Sequence, residues 1–316
     1  MIEGIALPSA DVGALEPVAE GVAGLRIAMV NVYGVRAPCG AWTLVDAGLY
    51  FSAGRIHRWA ERNFGGAPPQ SIILTHGHFD HIGSLRELVD EWDVPVWAHG
   101  LEFPYLTGRS KYPPPDPFAG RGALAFMAPL YPRGPIDVGD RLRALPDDGT
   151  VPGLPGWRWI PTPGHSPGHV SFFREDDRVL IAGDAFATTD QSSASAVAAQ
   201  RAELHGPPPY YTCDWDAAGR SVDRLAGLLP SVMAPGHGRP MVGPDAAGAL
   251  QQLAENFDRY ARPVRGRYAH TPAYANENGV VSVPPPVIGP APKIIAGAAL
   301  AGVALWAITR RARTTA

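Results

Sequence analysis

The chain has 316 residues, 46% of them hydrophobic, a formal net charge of −3 and two cysteines. That length suffices for one large α/β core, a class that commonly exceeds ~200 residues as a single domain. The near-neutral balance, with no block of like charges, indicates neither the electrostatic footprint of a nucleic-acid binder nor an acidic solvating tail, and directs expectation to a small-molecule partner. Cys39 and Cys213 form no C-x-x-C pattern and suggest no disulfide framework. With no export signal in "MIEGIALPSADVG", the expected location is cytoplasmic.

In chain order, Ile56, Trp59, Ala60 and Phe64 fall at helical spacing within 51–64, and Ile82, Leu85, Leu88, Val89 and Trp92 do so within 82–92. Before them the strand "WTLVDAG" is closed by Asp46, and between and after them lie short runs rich in β-branched and aromatic residues: "SIILT", "VPVWA", "WRWIP", "VSFF", "RVLIAG" and "SVMAP". Strands alternating with helices predict an α/β protein. Residues 100–135, broken by "YPPPDPFAG" and "YPRGP", are a candidate lid insertion, with Tyr105, Arg109, Lys111 and Tyr112 as candidate substrate-binding side chains. A surface loop stiffened by its prolines explains the stretch as well. Leu250, Leu253, Phe257 and Tyr260 mark a late helix.

The expected organisation is a catalytic domain over 1–263, a Pro-rich linker over 264–292 and an apolar C-terminal helix over 293–316. Within that helix, residues 294–309 carry no charge and are flanked by Lys293 and by Arg310, Arg311 and Arg313. The run is slightly short of the ~17–25 residues of a spanning helix, which leaves a membrane contact and an ordinary packed helix both open. No signature of oligomeric state is present.

The stretch "THGHFDHIGS" (75–84) packs ligand-type side chains into one turn. A strand ending at Thr75 would deliver His76 and His78, with Gly77 between them supplying backbone freedom, and Asp80 and His81 would open the next helix. Two imidazoles one residue apart converge on one cation, while a carboxylate and an imidazole just beyond serve a second. Asp80 as a plain helix cap is the alternative. With 10 His in the chain, the four-residue pattern arises by chance in roughly one chain in two thousand of this length. Three later turns each offer a further ligand after a strand: "PTPGHSPGH" (161–169), "IAGDAF" (181–186) and "APGHG" (234–238). All would project from one end of a sheet, where open α/β folds gather their sites.

With "LVDAG" (44–48), these motifs in this order resemble those of the metallo-β-lactamase-fold hydrolases over about residues 20–245. The resemblance implies an αββα sandwich of two mixed sheets flanked by helices. It implies that His76, His78 and His165 bind a first metal, that Asp80, His81 and His237 bind a second, and that Asp184 bridges them. By the same resemblance Asp46 orients a ligand histidine from behind, with a turn-capping aspartate as the alternative, and His169 stands behind the ligands or serves the fold alone. Thr188, Thr189 and Asp190 follow the bridging aspartate closely enough to be candidate pocket residues.

Two Zn²⁺ against Asp80, Asp184 and a bridging hydroxide leave a net charge near +1, which would hold a nucleophile at neutral pH. Asp80 is the expected proton carrier toward a leaving group. The expected function is dinuclear zinc-dependent hydrolysis of an ester, lactone or thioester, nearer the glyoxalase II and lactonase branch, although no glutathione-binding helical region is evident. A metal-dependent nuclease or phosphodiesterase, disfavoured by the charge, and an iron-dependent dioxygenase of the sulfur dioxygenase type are alternatives; iron or manganese would suit the same ligands.

Overall fold

A computed structural model describes residues 17–287, apart from 121 and 201. The first sheet contains β1 (Val22–Ile27), β2 (Val30–Arg36), β3 (Trp42–Val45), β4 (Ser71–Ile73), β5 (Val96–Ala98) and β6 (Leu142–Ala144), in that spatial order. Its first three strands are antiparallel and the rest add in parallel. The second sheet contains β7 (Trp157–Pro161), β8 (Val170–Arg174), β9 (Val179–Gly183), β10 (Val232–Pro235) and β11 (Met241–Val242), ordered β11-β10-β9-β8-β7. Only β9 and β10 pair in parallel there, so both sheets are mixed.

Successive side chains of a strand point to opposite faces, and here both faces are buried. On β4, Ile73 joins an inner core with Tyr33, Val45, Phe172, Ile181 and Ala234 from both sheets, while Ile72 points outward to a second core. That outer core holds α1 (Ala53–Phe64) through Ile56 and Trp59. After α2 (Phe79–Ile82), α3 (Leu85–Trp92) joins it through Leu85 and Leu88. Beyond the short α4 (Phe103–Leu106), α5 (Ala123–Met127) and α6 (Ala194–Ala199), two longer helices cover the second sheet: α7 (Trp215–Ala226) and α8 (Pro244–Glu255), with α9 (Phe257–Tyr260) following. Trp215, Val222, Leu225, Leu250 and Leu253 pack there on Leu180 and Met233. Helix, sheet, sheet and helix thus form the αββα sandwich. Each fully buried Leu, Ile or Phe favours it by about 1.5–3 kcal/mol.

Three expectations need adjustment. The helical pattern over 82–92 is split by Gly83 and Ser84 into α2 and α3, because the chain bends where the Gly83 N–H donates to Gly48 O at 2.7 Å. Residues 100–135 are not wholly irregular, since they carry α4 and α5. The linker expected from 264 packs instead as part of the first compact unit, which ends at Pro285. Tyr268 is buried and donates to Pro114 O at 2.7 Å, and the hairpin of β12 (Tyr274–Asn276) and β13 (Gly279–Ser282) donates from Val280 N–H to Ser110 Oγ at 3.2 Å. Both bonds clasp the 100–135 insertion. Among the described residues no helix is long and apolar enough to cross a membrane. The tail over 293–316, with its 294–309 run, lies outside the described residues.

Candidate metal centre

Strands β3, β4, β7, β9 and β10 end in the turns carrying Asp46, His76 to His81, His165, Asp184 and His237. Three groups of side chains bring ligand atoms within 4.8 Å of one another: His76, His78 and His165; His76, His81 and Asp184; and Asp80, His81 and His237. All are buried. In the first group His76 Nε2 lies 3.0 Å from His78 Nδ1, which lies 2.8 Å from His165 Nε2. Asp184 spans the groups: Oδ2 is 3.3 Å from His165 Nε2 and 3.0 Å from His237 Nε2, and Oδ1 is 3.3 Å from His81 Nε2. Asp80 Oδ2 lies 3.4 Å from His237 Nε2.

Hydrogen bonds on the outer side set which nitrogen faces inward. Thr75 Oγ1 donates its single proton to Asp46 Oδ2 at 2.8 Å, so it accepts from His76 Nδ1 at 3.1 Å, leaving a lone pair on Nε2. Thr212 Oγ1 likewise donates to Pro208 O at 2.9 Å and accepts from His165 Nδ1 at 3.2 Å. His237 Nδ1 donates to Met29 O at 2.7 Å, and His81 Nδ1 to Asp46 Oδ2 at 2.8 Å. Asp46 holds this double role from a left-handed conformation (φ 62°) and also accepts from Thr75 N–H at 2.8 Å. Aspartate tolerates that region better than most residues.

Electrostatics divide the ligands. Burial, reinforced by neighbouring imidazoles, keeps His76 and His78 well below the usual histidine range, and burial holds His165 at about 3. Burial also disfavours charge on His81 and His237, but the carboxylates prevail: Asp184 and Asp46 lift His81 well above the usual range, and Asp184 and Asp80 raise His237. Burial raises the Asp80 carboxyl against the pull of His81 and His237. The Asp184 carboxyl, which burial alone would raise, is held well below the carboxylate range by those same two histidines.

These residues fit a divalent metal. His81 Nε2 and Asp184 Oδ1 are buried and face each other at 3.3 Å without the geometry of a hydrogen bond, and neither has another partner, an arrangement costly unless a cation completes it. The inward lone pairs of His76, His78 and His165 crowd together, which only a shared cation or protons would make favourable. Nitrogen and carboxylate donors suit zinc, iron or manganese. The backbone is cut to fit: a Cβ on Gly236 would overlap Asp184 Oδ1. Gly77 has a different reason from the one expected. Its φ is not positive, but a Cβ there would lie 2.7 Å from Tyr112 Oη, so close approach demands the glycine.

His169 stands outside the three groups. Its Nε2 accepts from the Asp184 N–H at 2.8 Å, and its Nδ1 contacts Thr162 Oγ1 at 2.9 Å. The candidate substrate residues sit elsewhere than expected. Tyr105 and Tyr112 are buried and stacked at 3.8 Å, Tyr112 behind the His78 ring, because the insertion folds inward on its aromatics. Arg109 and Lys111 are exposed, the former bonded to Thr107. Thr188 spends its hydroxyl on Arg239 O at 2.6 Å, and buried Thr189 donates to Ala196 O at 3.3 Å. None of these lines the cavity over the metal groups, whose walls are Met29, Phe79, Pro208 and the tyrosines Tyr131, Tyr210 and Tyr211. Asp190 lines a separate cavity of about 590 Å³.

Sequence reading missed two supports. Asn31 on β2 donates to Pro235 O at 2.9 Å and Gly238 O at 2.7 Å, tying the His237 turn to the opposite sheet. Glu102 is a wholly buried carboxylate at the start of the insertion. Neither lies in a motif; an asparagine within the apolar run "MVNVYGV" was the one available signal.

A sandwich of two mixed sheets with seven His and Asp side chains gathered at the strand ends defines a metal-binding protein of the αββα class. The profile of the metallo-beta-lactamase superfamily matches residues 25–237, and the chain belongs to that superfamily. It is 47% identical over 254 residues to the "Probable metallo-hydrolase YflN" of Bacillus subtilis (strain 168), covering 79% of this chain and 96% of that one. The "Probable metallo-hydrolase YybB" of the same organism is 28% identical over 66% of this chain and 84% of its own. Among solved structures, a beta-lactamase domain protein from Burkholderia ambifaria superposes with a TM-score of 0.54 at 26% identity, covering 80% of this chain and 78% of that one.

Proposed function

We propose that the chain is a metal-dependent hydrolase holding two zinc ions, which cleaves an ester, lactone or thioester bond of a small molecule with water activated at the centre described above. The observation that carries this reading is the position of Asp184, one carboxylate within 3.3 Å of histidines from both the first and the last ligand groups. Similarity to relatives called metallo-hydrolases supports the reaction class. Bound there, the ions would supply Lewis acidity and lower the pKa of water toward ~7.

The chain's own residues supply the rest. Outer hydrogen bonds hold His76, His81, His165 and His237 in the tautomer that presents a lone pair inward. Asp80, buried and with its carboxyl raised by that burial, would carry a proton toward the leaving group. Phe79, Tyr131, Tyr210 and Tyr211 wall the cavity with aromatic surface, which excludes bulk water and favours an apolar substrate body.

The test is hydrolysis of a panel of lactones, thioesters, phosphodiesters and β-lactams by protein reconstituted with zinc, with His76→Ala as background. Turnover of a lactone or thioester, together with two zinc ions per chain by elemental analysis, is the expected result. Activity confined to phosphodiesters, or fresh protein rich in iron with little zinc, would overturn the proposal.

A further inference from the structure

Glu102 is fully buried, and its two oxygens take four donors from three separate pieces of chain. Oε2 accepts from the Gly77 N–H at 3.0 Å and from the Tyr112 hydroxyl in a very short contact. Oε1 accepts from the Ser166 hydroxyl and the Gly168 N–H, each at 2.8 Å. Gly77 lies between His76 and His78; Ser166 follows His165. One side chain therefore grips both loops of the three-histidine group, while Tyr112 brings the 100–135 insertion to the same point and its oxygen also lies 3.0 Å from the Gly77 nitrogen.

Four neutral donors and no acceptor define what can stand at this position. Burial raises the Glu102 carboxyl, and its hydrogen bonds work in the other direction. An ionised carboxylate offers enough lone pairs for all four donors, whereas an amide would turn an NH₂ toward two of them. The clamp is also one-sided: Gly77 and Ser166 adjoin His76, His78 and His165 in the chain, whereas Asp80, His81 and His237 lie further along from every donor.

We infer that Glu102 is a positioning residue that sets the spacing of His76, His78 and His165 by clamping their two loops together, and so governs the affinity of one metal position and not the other. The inference rests on the two-metal reading above.

The test is competition titration of Zn²⁺ against a chromophoric chelator, with Co²⁺ absorption to tell the sites apart, on full-length wild type, Glu102→Gln, Ser166→Ala and Tyr112→Phe. Leu225→Ala, in the core of the second sheet, is the control for stability loss alone. The expected result for Glu102→Gln is a tenfold or greater weakening at the three-histidine position, of the order found for groups that orient ligands. The other position should change less than about twofold, and Ser166→Ala and Tyr112→Phe should show smaller losses at the same position. Unchanged affinities in folded Glu102→Gln, or equal weakening at both positions, would overturn the inference. So would weakening matched by Leu225→Ala at equal loss of thermal stability. Were Glu102→Gln insoluble, unchanged affinities in Ser166→Ala and Tyr112→Phe would overturn it alone. Wild type that takes up a single ion would instead defeat the two-metal reading, and the variants would still be compared on that ion's affinity.

Discussion

The imidazole of His169 accepts the backbone N–H of Asp184 at 2.8 Å, so a histidine of the "PGHSPGH" motif acts on the candidate bridging carboxylate from behind. His165, four residues earlier, turns its Nε2 to within 3.3 Å of the same carboxylate from the front. His169→Ala should weaken zinc by about 10- to 100-fold, as loss of an orienting partner does. His165→Ala should abolish one ion outright. Elemental analysis after extensive dialysis distinguishes them; loss of metal from His169→Ala with full retention by His165→Ala would reverse the roles.

For Asp80→Asn, the amide keeps the shape and one coordinating oxygen but cannot carry the proton. Both ions should be retained while turnover falls by about 10²- to 10⁴-fold, the range for a general acid–base group. Single-turnover rates alongside metal content read this, and wild-type turnover in the variant would remove Asp80 from the reaction.

Metal uptake should release protons. His81 and His237 are raised in the metal-free fold by carboxylate neighbours, and a cation must displace those protons to bind. Zinc affinity should therefore fall as pH is lowered through 7 toward 5. Calorimetric titration in buffers of different ionisation enthalpy measures the protons released, and buffer-independent heats would contradict the expectation. For stability of the metal-free protein the signs differ by group. The raised pKa values of His81 and His237 contribute stability that is present below their unfolded value near 6.5 and lost as pH rises through their folded values. The depressed values of His76, His78 and His165, the last at about 3, disfavour the fold increasingly as pH falls below ~6.5.

Asn31→Ala should cost about 1–3 kcal/mol, because Gly238 O loses a buried donor while Pro235 O keeps the Tyr33 hydroxyl at 2.7 Å. Urea unfolding of the metal-loaded and metal-free forms checks it. A larger loss in the loaded form is expected, since the freed turn carries His237.

The cavity over the metal groups holds only about 10 Å³, room for roughly one water. Substrate entry therefore requires the aromatic wall to move. Tyr131→Ala should lower KM for bulky esters more than for small ones, and an equal change across a substrate size series would show that Tyr131 does not limit access.

The metal motifs were legible in the chain because histidine is scarce and its pattern dense: "HGHFDH" and the three later turns announce ligands wherever the backbone leads. The helix over 51–64 and most central strands were legible for a similar reason, since burial on one stripe or on both faces leaves a periodic or unbroken apolar record, whereas the one late helix expected through Leu250, Leu253, Phe257 and Tyr260 is two, α8 and α9, broken at Asn256. Strands β1 and β2 and helix α7 went unread, their patterns interrupted by Gly24, Asn31, Gly34 and Gly219.

What composition and spacing determined was the chemistry of the centre and the class of fold, both written in residue type and local period. What only the tertiary structure decided was the role of groups whose partners are remote in the chain. Glu102 meets Gly168 across 66 positions, Asn31 meets Gly238 across 207, and Tyr105 and Tyr112 turn inward where a proline-broken insertion had suggested a lid carrying substrate contacts. A buried polar side chain is satisfied by whatever the fold brings beside it, and that geometry has no local signature.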